Sequence, residues 1–332
     1  MTRWGILGLG RIAHKFATDL LTLPDAELYA VASTSAERAA DFAAQYNVPH
    51  HYGRYQDLLT CEGLDVVYIA TPHVGHHAHT LLCLNGGLPV LCEKPFAMNA
   101  RQVQEMVQTA RTKQIFLMEA LWSRFMPSVV KALDLIEAGT IGKVLGIRAD
   151  FGFQAPFLPD KRGFNKDLGG GSLLDIGIYP LFLSYLLLGK PQTIKASVTM
   201  SPTGVDEQCG MVLTYAGNQM AVLNSSFVTK TRTHAFIYGE TGNIYIHGRW
   251  HESQGVTLEP HEGDEQVFLY ERTTWGYDYE AQHVMQCLRE GRTESPLWTL
   301  DDSINLIELL DAVRQEVGLW YNEDDLDNTL TH

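Results

Sequence analysis

The chain has 332 residues, enough for about two domains, with 45% apolar and 19% charged residues and a net charge of −14. That balance argues against a nucleic-acid partner, which needs a basic face, and against long disordered tails. Five dispersed cysteines, odd in number and without a CxxC pair, fit reduced thiols in a cytoplasmic protein and remove cysteine-based zinc.

The N-terminus runs straight into a strand, with no export signal. No apolar stretch is read as long enough to span a bilayer, so no membrane partner is expected. Residues 4–7 read as that strand. Gly8-Leu9-Gly10-Arg11-Ile12-Ala13 follows, a GxGxxA sequence. Ile12, Phe16, Leu20 and Leu23 then recur at helical spacing until Pro24, and residues 27–33 read as a second strand. In such a βαβ unit Gly8 permits the tight turn and Gly10 lets the backbone approach a pyrophosphate. Ala13 is small enough for close helix–strand packing, and the helix N-terminus at Arg11 and Ile12 offers N–H groups and a positive dipole end. The motif in this context predicts dinucleotide binding.

The end of the second strand selects the cofactor. NAD binders usually carry Asp or Glu there for the ribose 2′-hydroxyl, and a carboxylate would repel the 2′-phosphate of NADP. Here stand Ser33, Thr34 and Ser35, with Arg38 one helical turn on. NADP is favoured, with NAD possible; an exposed helix residue is the alternative reading of Arg38.

The alternation continues with helical residues 41–46 and 54–59 and a buried strand over 65–70 that ends at Thr71-Pro72. A helix over 76–85, a strand over 89–92, a helix over 99–113 and a strand over 115–119 follow. Strands alternating with helices at this spacing imply a parallel sheet covered on both faces. His73, His76, His77 and His79 crowd seven residues without an acidic or cysteine ligand nearby in sequence, so no metal site is expected. One histidine meeting the ligand, the others solvated, is the reading. Val90-Leu91-Cys92 is a buried strand that Pro95 ends. Glu93 and Lys94 therefore stand at a strand's C-terminal edge, where open α/β sheets bind ligands.

These pieces, together with Gly169-Gly170-Gly171-Ser172-Leu173-Leu174-Asp175-Ile176-Gly177-Ile178-Tyr179-Pro180, resemble the Gfo/Idh/MocA oxidoreductases over essentially the whole chain. The stretch from Met118 to Pro127 looks closest to the dimeric dihydrodiol dehydrogenase and NADP-linked D-xylose 1-dehydrogenase subgroup, and Tyr179, where many relatives have histidine, points the same way. The resemblance implies an NAD(P)-binding Rossmann domain over 1–122. Residues 123–332 would form a substrate-binding and oligomerisation α+β domain with a large open, mainly antiparallel sheet, making a homodimer or homotetramer. Strand-like runs over 144–151, 193–201, 210–215, 220–227, 234–238 and 243–247, separated by turn signals, agree with that sheet. Residues 277–289 and 300–316 read as closing helices.

The chemistry expected is hydride transfer between the nicotinamide and a sugar, polyol or cyclic diol. Tyr179 is the candidate acid/base. A phenol's pKa of about 10 is too high for neutral pH unless a nearby ammonium, Lys94, favours the phenolate. Glu93 could orient Lys94 or touch the nicotinamide ribose. Thr71, Pro72 and His76 are candidate cofactor contacts. Asp175, four residues before Tyr179 and on its face if the segment is helical, could bind a substrate hydroxyl or hold Lys94. Trp122, Arg124, Phe153, Arg162 and Asn165 are further candidates for the substrate pocket, with core, interface or loop roles as the alternatives. A non-catalytic nucleotide-binding sensor, and NAD-dependent glycosidase chemistry on the same fold, are the competing functions.

Overall fold

The computed structural model describes residues 1–327. The chain forms two units. The first is Met1–Trp122 together with Thr273–Ile304, and the second is Ser123–Arg272 together with the chain from Asn305 onward.

The first unit is built on a six-stranded sheet. Its strands are β1 (Thr2–Leu7), β2 (Ala26–Ala32), β3 (His50–Tyr52), β4 (Val66–Ile69), β5 (Val90–Glu93) and β6 (Leu117–Ala120), in the order β3-β2-β1-β4-β5-β6. All neighbours run parallel. Every residue of β4, β5 and β6 is buried, as a sheet covered on both faces requires. Helices α1 (Arg11–Leu20), α2 (Ala36–Tyr46), α3 (His76–Asn85) and α4 (Ala100–Lys113) make the crossovers. The order reverses between β1 and β4, which makes the ends of those strands a topological switch point. The three-residue β3, with no apolar run, gives no signal in the sequence.

The second unit starts with α5 (Pro127–Glu137), which has proline in its first turn. It continues through β7 (Val144–Gly152), a π-helical turn (Leu173–Gly177) and α6 (Ile178–Leu188). Then come β8 (Thr193–Met200), β9 (Asp206–Thr214), β10 (Met220–Ser226), β11 (Ala235–Gly239), β12 (Gly242–Ile246), β13 (Gly255–Pro260) and β14 (Gln266–Leu269). The eight strands order as β14-β13-β12-β11-β7-β10-β9-β8. All pairs are antiparallel except β7 with β10, which is parallel. The sequence runs showed neither β13 nor β14.

Alternation gives this sheet two faces. Ala221, Leu223, Ile147 and Ala149 are buried on the side where α6 packs. Register aligns Lys195, Val212, Val222, Arg148, Phe236 and Tyr245 in one row on the other side, with Val212, Val222 and Met220 exposed.

Two expectations need correction. Residues 273–304 pack with the first unit rather than the second. On this return stretch lies α7 (Tyr277–Arg289), and α8 (Leu300–Val317) begins at its end. The physical ties are specific. The buried Asp19 carboxylate of α1 accepts from the Trp275 and Tyr277 N–H groups at 3.0 and 2.9 Å. The Trp298 indole donates to Glu119 at 3.3 Å, and the Leu117 N–H to the Thr293 carbonyl at 3.1 Å. Second, Lys166–Leu188 is long and apolar enough, by length and composition, to cross a bilayer. Most of it is buried in the protein, and the π turn interrupts it, so it is apolar as a core segment is.

Candidate active site

Some of the candidate residues lie in the first unit and some in the second. In the first, Gly8 adopts φ +93°, and a Cβ there would come within 2.7 Å of the Thr71 side chain and 2.9 Å of the Ala70 and Thr71 backbone. The turn after β1 thus lies against the turn after β4, which carries Thr71 and Pro72. A Cβ on Gly10 would meet nothing within 4 Å, and no side chain caps the N-terminus of α1. Open space above an uncapped helix end, with Ala13 fully buried beneath, fits a dinucleotide pyrophosphate. Arg11 is exposed and Ile12 half-buried at that end.

At the end of β2 the hydroxyls are partly occupied. Ser33 Oγ accepts from the Ser35 N–H at 3.2 Å. Ser35 is the N-cap of α2 and accepts from the Arg38 N–H at 3.2 Å. Thr34 and Arg38 are exposed, and the Arg38 charge reaches Tyr55.

The histidine-rich segment divides its labour. His76 is fully buried, with Nδ1 2.8 Å from the Pro95 carbonyl and Nε2 2.9 Å from the Thr71 carbonyl. The ring sits between the ends of β4 and β5, one nitrogen facing each carbonyl. His79 pairs with the Thr71 hydroxyl at 3.0 Å, His73 is buried, and His77 lies 2.8 Å from Glu105 of α4. All four are packed or paired rather than freely solvated. The acid near His77 comes from another helix and gives no signal in the local sequence.

Glu93 ends β5 in the buried layer. The Tyr68 hydroxyl donates to its Oε1, and its Oε2 accepts from the Lys94 N–H at 3.2 Å. Phe16 stacks on Tyr68 at 3.8 Å. Lys94 is half-buried, and its peptide bond to Pro95 is cis. Two further acids surround Glu93. Burial pushes the Glu119 carboxyl up to about 7, and pushes Glu280 of α7 well above the ordinary range. Both Glu280 oxygens are buried and have no hydrogen-bond partner among the described residues.

In the second unit the turn at 173–177 is a π-helix, a rare form frequent at functional sites. Asp175 lies within this turn and Tyr179 four residues on, in the first turn of α6, so the segment that carries both is helical throughout. Asp175 pairs with Arg162 at 3.0 Å. Tyr179 is 4% exposed, its ring 5.5 Å from Phe151 and 5.3 Å from His251, which stack on each other at 4.0 Å. Phe153 is exposed at its edge and contacts Phe227 at 5.4 Å. Asn165 caps a short helical turn, accepting from the Asp167 N–H at 2.9 Å. Arg124 is half-buried; Trp122 is buried and stacks on Tyr277 at 4.7 Å within the first unit.

The three glycines before the π turn serve the protein's own packing. Gly169 has φ +69°. A Cβ on Gly170 would sit 2.5 Å from the Arg162 carbonyl, and one on Gly171, at φ +115°, would collide with Asp206. The sequence reading missed Asp206, His251, Tyr68 and Glu280, whose neighbours are remote in the chain.

Comparison with known proteins agrees with this architecture. The Gfo/Idh/MocA family described as an oxidoreductase family with an NAD-binding Rossmann fold matches residues 2–121, and the Gfo/Idh/MocA C-terminal domain matches residues 129–245. The trans-1,2-dihydrobenzene-1,2-diol dehydrogenase of Xenopus tropicalis is 39% identical over 96% of this chain and 99% of its own. The human protein of that name is 35% identical over 97% and 98%. A 3-ketoreductase from Actinomadura kijaniata, solved with NADP and TDP-benzene, superposes with a TM-score of 0.85 at 26% identity, over 95% of this chain and 98% of that one. An aldose-aldose oxidoreductase from Caulobacter crescentus shares the fold, with a TM-score of 0.87 at 23% identity over 96% and 97%. Fold, phosphate turn and relatives define an NAD(P)-dependent dehydrogenase or reductase. The chain belongs to the Gfo/Idh/MocA oxidoreductase family.

Proposed function

We propose that the enzyme transfers hydride between NADP and a secondary alcohol or its carbonyl on a sugar, polyol or cyclic trans-diol, with Tyr179 as acid/base. The observation that carries the reading is Tyr179 itself, a buried phenol at the start of α6, following a π turn that presents Asp175. The trans-diol is the favoured substrate class because the relatives named above are diol dehydrogenases at 35–39% identity. The aromatic neighbours Phe151 and Phe153 suit a ring better than an open polyol.

NADP, when bound at the turn after β1, would supply the acceptor for hydride from the carbinol carbon. Tyr179 removes the hydroxyl proton in that direction and returns it in reverse. Lys94 supplies the positive charge that favours the phenolate. Glu93 holds the Lys94 backbone, and Tyr68 holds Glu93. Asp175, oriented by Arg162, accepts a hydrogen bond from a second substrate hydroxyl. The preference for NADP is supported by the lack of an acid at the end of β2 and by the exposed Arg38.

Five free, buried cysteines support a reducing, cytoplasmic setting. The exposed apolar row on the second sheet supports a homodimer or homotetramer. Sedimentation of the purified protein as a monomer would remove that last element.

Absorbance at 340 nm tests the reaction with trans-dihydrodiols, aldoses and inositols, each with NADP and NAD. Reduction of NADP by a dihydrodiol or xylose is expected. Lys94→Met and Tyr179→Phe should each lower turnover by about 100-fold or more while NADP still binds. Near-normal turnover in both would overturn the assignment.

A further inference from the structure

Behind the π turn lies a carboxylate that the proposed reaction does not use. Asp206 opens β9 and is wholly buried. Its Oδ2 accepts from the Ser172 hydroxyl and from the Leu173 N–H, both at 2.7 Å. Its Oδ1 has no hydrogen-bond partner among the described residues and faces Gly171, where any Cβ would collide with it. Two other bonds tie the same stretch. Ser172 Oγ lies 2.9 Å from Ser225 Oγ of β10, and the Tyr321 hydroxyl donates to the Gly170 carbonyl at 2.5 Å.

A buried, half-satisfied carboxylate is costly to keep. This one sits at the first free N–H of a helical segment, where negative charge is favoured. A single oxygen accepts two bonds from consecutive residues, so it fixes both the position and the direction in which the turn begins. Asp175 follows two residues after Leu173, and Tyr179 six, with helical chain between them. The π turn carries one bond of α-helical span, from the Asp175 N–H to the Gly171 carbonyl at 3.3 Å, so where the turn begins at Gly171–Leu173 sets where Asp175 falls.

We propose that Asp206 is a positioning residue that holds the π turn in register, so that Asp175 and Tyr179 keep the orientation the chemistry requires. The proposal rests on the reading of Tyr179 as acid/base. It also explains the glycine at 171, which leaves room for the Asp206 carboxylate rather than for a ligand.

The anchor has a pH dependence. Burial pushes the Asp206 carboxyl up to about 6, against the hydrogen bonds from Ser172 and Leu173 that lower it. The titratable groups that face it are Tyr321, from the C-terminal stretch, and Cys209, on its own strand. Both are kept neutral by burial and, secondarily, by the Asp206 charge. Arg314 and Asp324 act on Tyr321. As pH falls through about 6, Asp206 gains a proton and its charge-assisted grip on the turn weakens.

The test uses the full-length enzyme with NADP and the best substrate of the panel above. Wild type, Asp206→Asn, Tyr179→Phe and the double variant are assayed from pH 5 to 9, and NADPH affinity is read from its fluorescence. Asp206→Asn should lower kcat by about 10- to 100-fold, the scale of a small misplacement of reacting groups. KM should change far less, NADPH affinity should stay as in wild type, and the acid limb near pH 6 should disappear. In the Tyr179→Phe background the same change should cost several-fold less than in wild type, because one of the two groups it positions is gone and only Asp175 remains to be displaced. Wild-type kcat and pH profile in Asp206→Asn, beside an inactive Tyr179→Phe, would overturn the proposal. So would losses that simply multiply in the double variant. Normal turnover in Tyr179→Phe would instead remove the acid/base reading, a different failure. Should Asp206→Asn not fold, Ser172→Ala removes one of the two bonds to Oδ2. It should lower kcat by a smaller factor with unchanged NADPH affinity, and wild-type kcat there would likewise overturn the proposal.

Discussion

Two glycine-rich turns, one in each unit, use glycine for opposite reasons. After β1, Gly10 has empty space where a side chain would be, above an uncapped helix end. Before α6, Gly170 and Gly171 have the protein's own carbonyls and the Asp206 carboxylate in that place. The first leaves open space above the helix end, the arrangement that suits a phosphate. The second is a packed joint that sets the start of a helical segment. In sequence the two look alike, so a glycine run does not by itself tell a binding turn from a positioning one.

Single substitutions can separate the two roles. Gly171→Ala should destabilise the fold by on the order of 3 kcal/mol, combining left-handed strain with the collision at Asp206. Thermal unfolding would show it, with NADPH affinity unchanged. Gly10→Val should do the reverse, weakening NADPH binding about 10-fold or more, roughly 1.4 kcal/mol, at little cost in Tm. If Gly10→Val lowers Tm as much as Gly171→Ala does, the distinction fails.

The buried acids around Glu93 sharpen the contrast between polar groups that are bonded and those that are not. Glu280→Met should stabilise the protein by about 1 kcal/mol or more by removing an unsatisfied buried carboxyl. Glu280 binds its proton more tightly folded than unfolded. Its contribution is therefore full below its ordinary pKa of 4.5 and is lost as pH rises above it. The gain in Glu280→Met, read from urea unfolding, should be larger at pH 8 than at pH 5. A smaller decline between about 4.5 and about 7 should persist from Glu119. The smallest effect is expected at the half-exposed Glu105 beside His77. There Glu105→Ala should change stability by about 0.5 kcal/mol or less, as exposed pairs do.

Much of this was legible because it is local. The phosphate turn, the strand ending in Glu93-Lys94-Pro95 and the alternation of strands and helices each lie within a few consecutive residues, where periodicity and chain stiffness act directly. The Rossmann order and the mainly antiparallel second sheet follow from such signals. What escaped depends on distant partners. Tyr68 meets Glu93 across 25 residues, Ser172 meets Asp206 across 34, and Trp298 meets Glu119 across 179. His76 illustrates the limit. Its placement before a helix at the ligand edge suggested a cofactor contact, yet both ring nitrogens face backbone carbonyls. The apolar segment ending at Leu188 is the converse case, where composition points to a bilayer and burial explains it otherwise.

The return of residues 273–304 to the first unit has a consequence for how the protein is made. A ribosome releases the Rossmann strands long before the segment that finishes them. Until Trp275 and Tyr277 emerge, the Asp19 carboxylate lacks the two amides that hold it. Until Trp298 emerges, Glu119 lacks its indole donor. The nascent first unit must therefore wait through the synthesis of about 150 intervening residues with part of its core unsealed. A fragment ending at Trp122 would reproduce that unfinished state, with every strand of the sheet present and its closing helix missing.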